Sequence, residues 1–408
     1  MNKKRVGVLL ATAGMAWAED QPAVSISSSP TINSTPDDTW MTNGKVYAVI
    51  RSGNYIYVGG QFTSIRSGPT GQSFAATNLA RFHADTGVGD STWTPDVTGA
   101  DMTKTKVYSL AASNGKIWVG GNFGAVNGVA RRNLAAVSPD TGVVDPTVDP
   151  LVGTETSIVR AMIASSQKVY IGGAFGTVED DNGVKSRRNL AALDPVTGNV
   201  DLTWKPKVDK IVWSLAFSCD GPSAPSTVFA GGKFLNAAGS DGVFNTRQFI
   251  ARFDATSGAL HPWAIPPASF QNQDEVASDM AVTCERITSG FLGPNFLRSF
   301  RLDNGNIGST VWGYKTGGEV QTAAMLGADK VIVGGHFSQL KDGIKRERIG
   351  MINLSDGSVD PSWAPPVSGK YLGPWDLLVD DNHLYVGGEF TSVADLPRYN
   401  FTRFTFTP

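Results

Sequence analysis

Cysteine, histidine and long apolar runs are scarce in this chain. Its 408 residues include two cysteines and four histidines, and 35 Lys and Arg nearly balance 37 Asp and Glu. Because nucleic-acid readers usually carry a basic excess, we expect no nucleic-acid partner. No later stretch reaches the ~20 apolar residues that a membrane span needs. The histidines fall at unrelated places, so we expect no metal site built on His83, His261, His336 and His383.

The motifs of common catalytic machinery are also missing. There is no G-x-S-x-G elbow, no H-E-x-x-H and no Walker sequence. The acidic stretches at 179–181 and 380–381 lack the spacing of an EF-hand. We therefore predict a non-catalytic protein without metal or cofactor. Carboxylates from distant parts of the chain could still form a pair for glycoside hydrolysis, so an enzyme stays as the alternative.

The N-terminus has the pattern of a secretory signal. Three basic residues, Lys3 to Arg5, precede an apolar run from Val6 to Trp17, and Ala16-Trp17-Ala18 is a small-residue cleavage pattern. We predict cleavage after Ala18, with residues 1–18 as the signal peptide. No cysteine follows the run, which excludes lipid attachment there. The protein should be secreted, as an extracellular, cell-surface or periplasmic protein, with a flexible leader at 19–34.

Glycine is abundant, with 46 residues, and much of it belongs to a repeat. The phrase Gly-Gly-x-Phe, preceded by three apolar residues, occurs six times. Its first glycines lie 52 to 61 residues apart, except that about two such intervals separate Gly231 from Gly334. This spacing predicts a seventh, degenerate unit between residues 235 and 330. The first glycines are Gly59, Gly120, Gly172, Gly231, Gly334 and Gly387.

Each unit has the same order of parts. An apolar stretch such as 107–111 precedes the Gly-Gly strand, and a third strand such as 189–193 leads into a turn at 194–198. A tryptophan then marks a predicted fourth strand, as at Trp93 and Trp204. Four antiparallel strands every ~50 residues are the signature of a propeller blade. The bulky Trp and Phe suit the space between blades, and the glycines suit close approach or a bulge.

We thus predict an all-β fold, a seven-bladed β-propeller of four-stranded antiparallel blades, as a single domain over residues 35–408. In the degenerate unit the strands fall at 276–283, 286–292 and 296–302. The last unit ends without a Trp strand, and residues 35–40 have the character of a displaced fourth strand. An N-terminal strand at 35–40 should therefore pair with the C-terminal blade and close the ring.

The consensus of these units is V-x-x-L-A, then V-Y-V-G-G-x-F, then R-x-N-L-A-x-x-D-P-x-T-G-x-V-D-P-T-W. It resembles the delta-60 repeat of secreted and surface bacterial β-propellers and, more loosely, kelch-like propellers. The resemblance covers roughly residues 36–408. It implies a propeller fold, but the family has no general activity to carry over to this chain.

The two cysteines occupy equivalent places in adjacent units. Cys219 follows Leu215 by four residues, and Cys284 follows Met280 by four, at the ends of two first strands. Equivalent atoms of neighbouring blades lie close enough for a disulfide when they are within ~8 Å of the axis. Export permits such a bond. A disulfide is therefore our prediction, and two thiols are the alternative.

Arginines stand just before the third strand in several units. As a cationic ring they could bind anionic glycans or phosphate. Alternatively, they pair with turn aspartates such as Asp85, Asp140 and Asp194, because a residue present in every blade is most simply explained by blade construction. The candidate binding residues are Arg131, Arg132, Arg187, Arg188, Arg247, Arg346 and Arg348.

Departures from the repeat are the other candidates for specificity, since variable loops on a rigid scaffold commonly bind ligands. They are the segments 63–77, 178–186, 220–226, 236–245 and 271–302. We predict a monomer that binds an extracellular protein or glycan partner through one face or the axial mouth. The alternatives are an extracellular hydrolase or lyase, and a structural component of a cell surface or phage tail. An acidic axial cluster would favour the enzyme, and an aromatic rim would favour binding.

Overall fold

The computed structural model describes residues 29–221, 223, 225–302, 305–369 and 373–407. Strands and turns make up nearly all of this part, with two short 3₁₀ segments at Pro267–Ser269 and Lys341–Gly343. The predicted signal peptide, its cleavage site at Ala18 and most of the leader lie outside the described residues. Among those described, no helix has the length and apolar character needed to cross a bilayer.

Seven repeat units each form one larger antiparallel sheet. We number the units, and the strands within each sheet, in chain order. The first strands are Lys45–Ser52, Lys106–Ser113, Ile158–Ala164, Val212–Phe217, Val276–Val282, Gly318–Leu326 and Gly373–Val379. The second strands are Tyr55–Gln61, Lys116–Asn122, Val169–Ala174, Thr227–Gly232, Arg286–Leu292, Lys330–Phe337 and His383–Glu389. The third strands are Leu79–His83, Leu134–Val137, Leu190–Leu193, Ile250–Asp254, Phe296–Arg301, Ile349–Asn353 and Phe401–Thr407.

Five smaller three-stranded sheets lie outside the larger ones in units 1, 2, 3, 4 and 7. They include parts of the segments 63–77, 178–186 and 236–245, which therefore form short strands joined by turns rather than simple loops. Their strands are Met41–Thr42, Ser64–Arg66 and Ser73–Ala75; Val97–Thr98, Ala125–Val126 and Val129–Ala130; Leu151–Val152, Thr177–Asp180 and Gly183–Ser186; Lys207–Val208, Asn236–Ala238 and Phe244–Thr246; and Val367–Ser368, Ser392–Val393 and Leu396–Pro397.

The larger sheets stand in a closed ring. The first strand of each unit contacts the first strand of the next unit, and the first strand of unit 7 contacts that of unit 1. Among the described residues, seven apolar clusters each join two neighbouring sheets; Trp118 of unit 2, for example, packs with Val159 and Ile171 of unit 3. The cluster that contains Val58 and Tyr385 joins unit 1 to unit 7. Sheets arranged around an axis in this way form a β-propeller.

A strand from each end of the chain completes the ring. Thr31–Ile32 pairs with Phe401–Thr407 in the sheet of unit 7, with Thr31 opposite Thr407. The predicted closing strand at 35–40 is therefore wrong, and the strand lies in the segment expected to be leader. Pro36 has no N–H to donate. Asp37 still donates its N–H to the Arg403 carbonyl at 2.8 Å, and its carboxylate accepts hydrogen bonds from Arg403 Nε at 2.6 Å and from Thr405 Oγ1 at 2.7 Å.

Unit 5 has a regular fourth strand at Thr310–Lys315. The prediction of a fourth strand is wrong for units 1, 2, 3, 4 and 6. There the chain makes a single backbone bridge after the turn, such as Val137 with Val144. The tryptophan then leaves the sheet: Trp93 is fully buried, and its indole N–H donates to the Ser138 carbonyl of the next unit at 3.0 Å. Equivalent indole bonds come from Trp204, Trp263, Trp312 and Trp363.

The paired glycines serve two different contacts. In unit 2, a Cβ on Gly121 would overlap the carbonyl oxygen of Lys106 in the first strand, because the two strands slip by one residue there. A Cβ on Gly120 would lie 2.7 Å from Val159 Cγ1 of the next unit. The second glycine therefore permits a bulge in its own sheet, and the first permits the neighbouring sheet to approach.

Gly121→Ala should destabilise the fold because a backbone carbonyl cannot move aside as a flexible side chain could. We expect a loss of about 3 kcal/mol, seen as a lower thermal midpoint in circular dichroism. Gly124→Ala is the matched control: its Cβ would meet no atom closer than 3.8 Å, and its effect should stay within about 0.5 kcal/mol. Equal midpoints for the two variants would contradict this account of the glycine pair.

The structure places a disulfide between Cys219 and Cys284, whose Cα atoms lie 4.9 Å apart. Its presence in the protein stays a prediction that thiol titration tests. Denatured, unreduced protein should show no reactive thiol, and reduced protein should show two. Because the bond would close a loop of 65 residues, its removal by Cys219→Ser with Cys284→Ser should cost about 4 kcal/mol. Two thiols before reduction would exclude the bond.

Candidate functional site

The bulge in each first strand sends one extra side chain toward the axis. In unit 1, for example, Val46 pairs with Gly60 and Ala48 pairs with Gly59, so Tyr47 has no partner on the second strand. In unit 5 the irregularity spans Ser278 and Asp279. We call the seven side chains at this position the channel ring. It consists of Tyr47, Tyr108, Arg160, Trp213, Ser278, Gln321 and Trp375.

The channel ring lines an axial cavity of about 270 Å³. Four of its members are aromatic, and one of them, Tyr47, contacts two of the others. The Tyr47 ring lies 5.2 Å from that of Tyr108 and 5.5 Å from that of Trp375, measured between centroids. The repeat thus supplies the same position seven times, whereas the side chains there differ. Side chains that differ at a structurally constant position are expected of a ligand-binding site, whereas residues needed to build the blades would be the same in each unit.

Arg160 is the cation of this ring. Its guanidinium carbon lies 4.4 Å from the centroid of the Trp213 ring, 4.7 Å from Tyr108 and 5.6 Å from Trp375. The side chain of unit 3 therefore touches rings from units 2, 4 and 7, as an arginine that extends across the axis does. Burial lowers the pKa of Arg160, but a guanidinium remains charged in proteins. The contacts are cation–π interactions.

Several buried polar atoms around the cavity have no hydrogen-bond partner among the described residues. They are Gln321 Oε1, Trp375 Nε1, and the hydroxyl oxygens of Ser109 and Ser214. Gln321 and Ser109 are 6% exposed, and Ser214 is 5% exposed. Buried polar atoms are normally bonded to protein or water. The walls of the channel therefore contain one donor and several acceptors whose hydrogen-bonding capacity the described residues leave unused.

Two carboxylates, Asp279 and Asp376, lie next to the channel ring in sequence and line the same cavity. Asp376 accepts the backbone N–H of Val49, in the next unit, at 2.6 Å. Asp279 accepts that of Ala323, also in the next unit, at 3.1 Å, and the hydroxyl of Thr322 at 3.0 Å. Each aspartate therefore joins two neighbouring first strands. Burial raises the pKa of both groups, and the charge of Asp279 raises that of Asp376 further.

The predicted arginines lie elsewhere, and none of them lines the axial cavity. Arg131, Arg187, Arg247 and Arg346 occupy equivalent places and donate to backbone carbonyls. Arg187, for example, donates to the carbonyls of Ser186 and Asp201, each at 2.9 Å. Equivalent bonds from the other three have main-chain acceptors as well. Their partners are thus carbonyls, not the side chains of Asp85, Asp140 and Asp194, because the strand and turn expose those oxygens to the guanidinium.

The remaining predicted arginines differ from one another. Arg132 lies 3.9 Å from Glu179, and Arg188 donates to the Asp209 carbonyl at 3.0 Å. Arg348 donates to the carbonyls of Val367 and Gly369 at 2.7 and 3.2 Å. It stands where other units have an asparagine that donates to the corresponding carbonyl. Anion binding by these arginines stays a prediction, and the channel is a separate candidate.

Sequence reasoning missed the channel ring, although a signal was present. In the phrase Val-x-x-apolar, the first x is Tyr47, Tyr108, Arg160 and Trp213 in successive units, and the apolar residue that ends the phrase is Val, Leu, Met and Leu. The bulge directs this variable residue to the axis. Without the bulge, strand alternation does not say which of the two x positions faces the channel. In the part of the chain that the structure describes, no three His, Cys, Asp or Glu side chains come together as a metal site.

Comparisons with known proteins agree with the fold. A family model described as "Domain of unknown function (DUF5122) beta-propeller" matches residues 112–147. The WD40 domain of Pan2 from Neurospora crassa is 11% identical, with 94% of this chain and 97% of that chain covered and a TM-score of 0.51. The WD40 β-propeller domain of Doa1 is 11% identical over 92% of this chain and 96% of that chain, with a TM-score of 0.49. A search of curated proteins found no match.

The family match and the likeness to the Pan2 domain confirm the prediction of an all-β propeller. The matched segment holds the second and third strands of unit 2, with the turn that follows them. At 11% identity the structural likeness concerns the fold alone. A propeller fold is compatible with many activities, so function has to be argued from the site.

Asp376→Asn should have a pH-dependent effect of defined sign. The folded pKa of Asp376 is raised, so its contribution to stability is present below about pH 4 and is lost as the pH rises through the folded value. The decrease in thermal midpoint caused by the substitution should therefore be larger at about pH 4 than at about pH 8.

Asp380→Asn is the control of opposite sign. Although burial opposes it, hydrogen bonds from His383 and Asn382 and the charge of Arg51 lower the pKa of Asp380 to about 2. Its contribution is present above about pH 4 and is lost as the pH falls toward 2. The decrease in thermal midpoint caused by Asp380→Asn should thus be larger at about pH 7 than at about pH 3. The same trend in both variants would refute the assignment for Asp376.

Proposed function

We propose that the protein is a secreted, non-catalytic, seven-bladed propeller of the delta-60 type that binds a glycan at the mouth of its axial channel. The seven larger sheets support the blade number, and the basic and apolar N-terminus supports secretion. The observation that carries the binding function is the aromatic channel ring around Arg160.

The size of the channel favours a glycan over a protein partner. Its volume of about 270 Å³ is near the lower end of ligand pockets, roughly 300–1,000 Å³, and suits the end of a chain. A stable protein interface needs about 800 Å² from each partner, usually across a broader surface. Aromatic side chains present rigid apolar faces with polar edges, as Tyr47 and Trp375 do here, and such faces suit the apolar side of a sugar ring.

The carboxylates support binding rather than hydrolysis. Glycoside hydrolysis needs a proton donor and a second carboxylate that flank the scissile bond. In Asp376, one oxygen accepts the N–H of Val49 and the other accepts the N–H of Leu377 at 3.0 Å. Asp279 is engaged in the same way, by Ala323 and by Met280 at 2.8 Å. Both groups are therefore used to hold neighbouring blades together.

A glycan array followed by calorimetry tests this function. The sample is exported protein, whose mass should correspond to a chain that begins at Glu19. We expect binding of an oligosaccharide, and Trp213→Ala should weaken it about tenfold or more because an aromatic face of the channel is lost.

Trp40→Ala is the matched control, since Trp40 packs on Phe74 with 5.1 Å between ring centroids and does not line the axial channel. It should leave the affinity unchanged. Thermal melting of both variants separates misfolding from loss of the site. An oligosaccharide bound equally well by the wild type and Trp213→Ala would place the site elsewhere. Hydrolysis of the oligosaccharide would overturn the non-catalytic assignment.

A further inference from the structure

We propose that Arg160 makes the channel selective for glycans that carry a carboxylate, that is, for uronate sugars. This inference rests on the proposed glycan-binding function and adds the charge of the ligand. It starts from a cation that the protein itself leaves without a counter-charge. Within the described residues 29–221, 223, 225–302, 305–369 and 373–407, the guanidinium of Arg160 has neither an ion pair nor a hydrogen-bond acceptor.

The aromatic rings do not replace such an acceptor. Trp213 and Tyr108 interact with the positive charge through their π faces. The five N–H donors of a guanidinium lie in its plane and match the two oxygens of a carboxylate. The rings thus hold the group while its donors stay available. A bidentate bond to a ligand carboxylate would supply the missing counter-charge at a partly buried place, where it is worth more than at the surface.

The unpartnered polar atoms supply an independent argument for the rest of the ligand. Gln321 Oε1 can only accept a hydrogen bond, whereas the Trp375 indole N–H can only donate. Sugar hydroxyl groups both donate and accept, so they can satisfy both atoms. A sulfate or halide ion offers no donor to Gln321. The combination of one guanidinium, one acceptor and one donor therefore describes a polyhydroxylated carboxylate.

The charges near the ring point the same way. Lys106 Nζ lies 5.9 Å from the centroid of Tyr47 and 5.8 Å from that of Tyr108. Glu389 is held by Lys45 at 3.0 Å and so is neutralised. Asp279 and Asp376 lie in the same cavity, where backbone N–H groups donate to both oxygens of each carboxylate. A single carboxylate suits this balance better than a phosphate, whose second charge would face the two aspartates.

The experiment compares galacturonate trisaccharide with its methyl ester, which has the same rings without the charge. Binding to the whole mature protein is followed by tryptophan fluorescence and calorimetry. A third probe, triglutamate, carries carboxylates without sugar. We expect the free acid to bind about tenfold or more tightly than the ester. Added salt should weaken binding of the acid and leave binding of the ester unchanged.

Two variants of Arg160 and one control complete the design. Arg160→Gln should remove the preference for the acid, so that the acid and the ester bind with equal affinity, and Arg160→Lys should keep part of the preference. Arg66→Gln is the matched control, because Arg66 lies over Tyr399 at 4.8 Å and outside the axial cavity. It should change neither affinity. The acid-to-ester comparison on the wild type needs no variant, so it holds even if a substitution impairs folding.

The outcomes separate this inference from the proposed function. Equal affinity of the wild type for acid and ester would overturn the selectivity and leave glycan binding intact. Triglutamate bound as tightly as the acid would support carboxylate recognition by Arg160 but overturn the glycan assignment. A preference for the acid that survives in Arg160→Gln would overturn the role of Arg160. No binding of any probe would overturn both proposals.

Discussion

The close contact between the second glycine of each pair and a first-strand carbonyl is the constraint on which the rest depends. At Gly121 a Cβ would overlap the oxygen of Lys106, so only a glycine allows the one-residue slip seen there. The slip leaves Tyr108 without a partner on the second strand. Repeated around the ring, it directs one side chain per unit to the axis. A backbone requirement that is the same in each ordinary unit thereby creates a site whose side chains can all differ.

Contacts between sheets keep that site in register. The first glycine of a pair lets a neighbouring strand approach, as Gly120 does for Val159, and the buried indole of Trp93 donates to the next unit at Ser138. Two aspartates of the channel wall add bonds of the same kind where units 5 and 7 meet their neighbours. The walls of the channel are thus held by interactions that involve few of the ring side chains themselves, which remain available to a ligand.

Much of the fold could be predicted because it depends on local pattern. The second strand of the degenerate unit, 286–292, was predicted with its true bounds. Two details were wrong because long-range contacts decide them. Tryptophan was predicted to mark a fourth strand in most units; it does so at Trp312 in unit 5, whereas in other units, as at Trp93, the residue lies outside the sheet and its indole donates to a carbonyl of the next unit. The closing strand is Thr31–Ile32 and not 35–40, because Pro36 has no N–H to continue the ladder, although Asp37 still donates its N–H to the Arg403 carbonyl. Four of the arginines before the third strand donate to main-chain carbonyls rather than to the turn aspartates, and anion binding by the predicted arginines stays a prediction.

The sequence by itself determined the repeat, the all-β class and the equivalence of Cys219 and Cys284, since periodic residues report on structure within one unit. Only the tertiary structure decided which residues share the channel. Arg160 meets Trp375 at 5.6 Å, although the two are far apart in sequence and belong to units 3 and 7. Closure of the ring brings them together, and the bulge turns them inward. Neither effect can be read from the order of residues, because both depend on how many sheets surround the axis and how they pack.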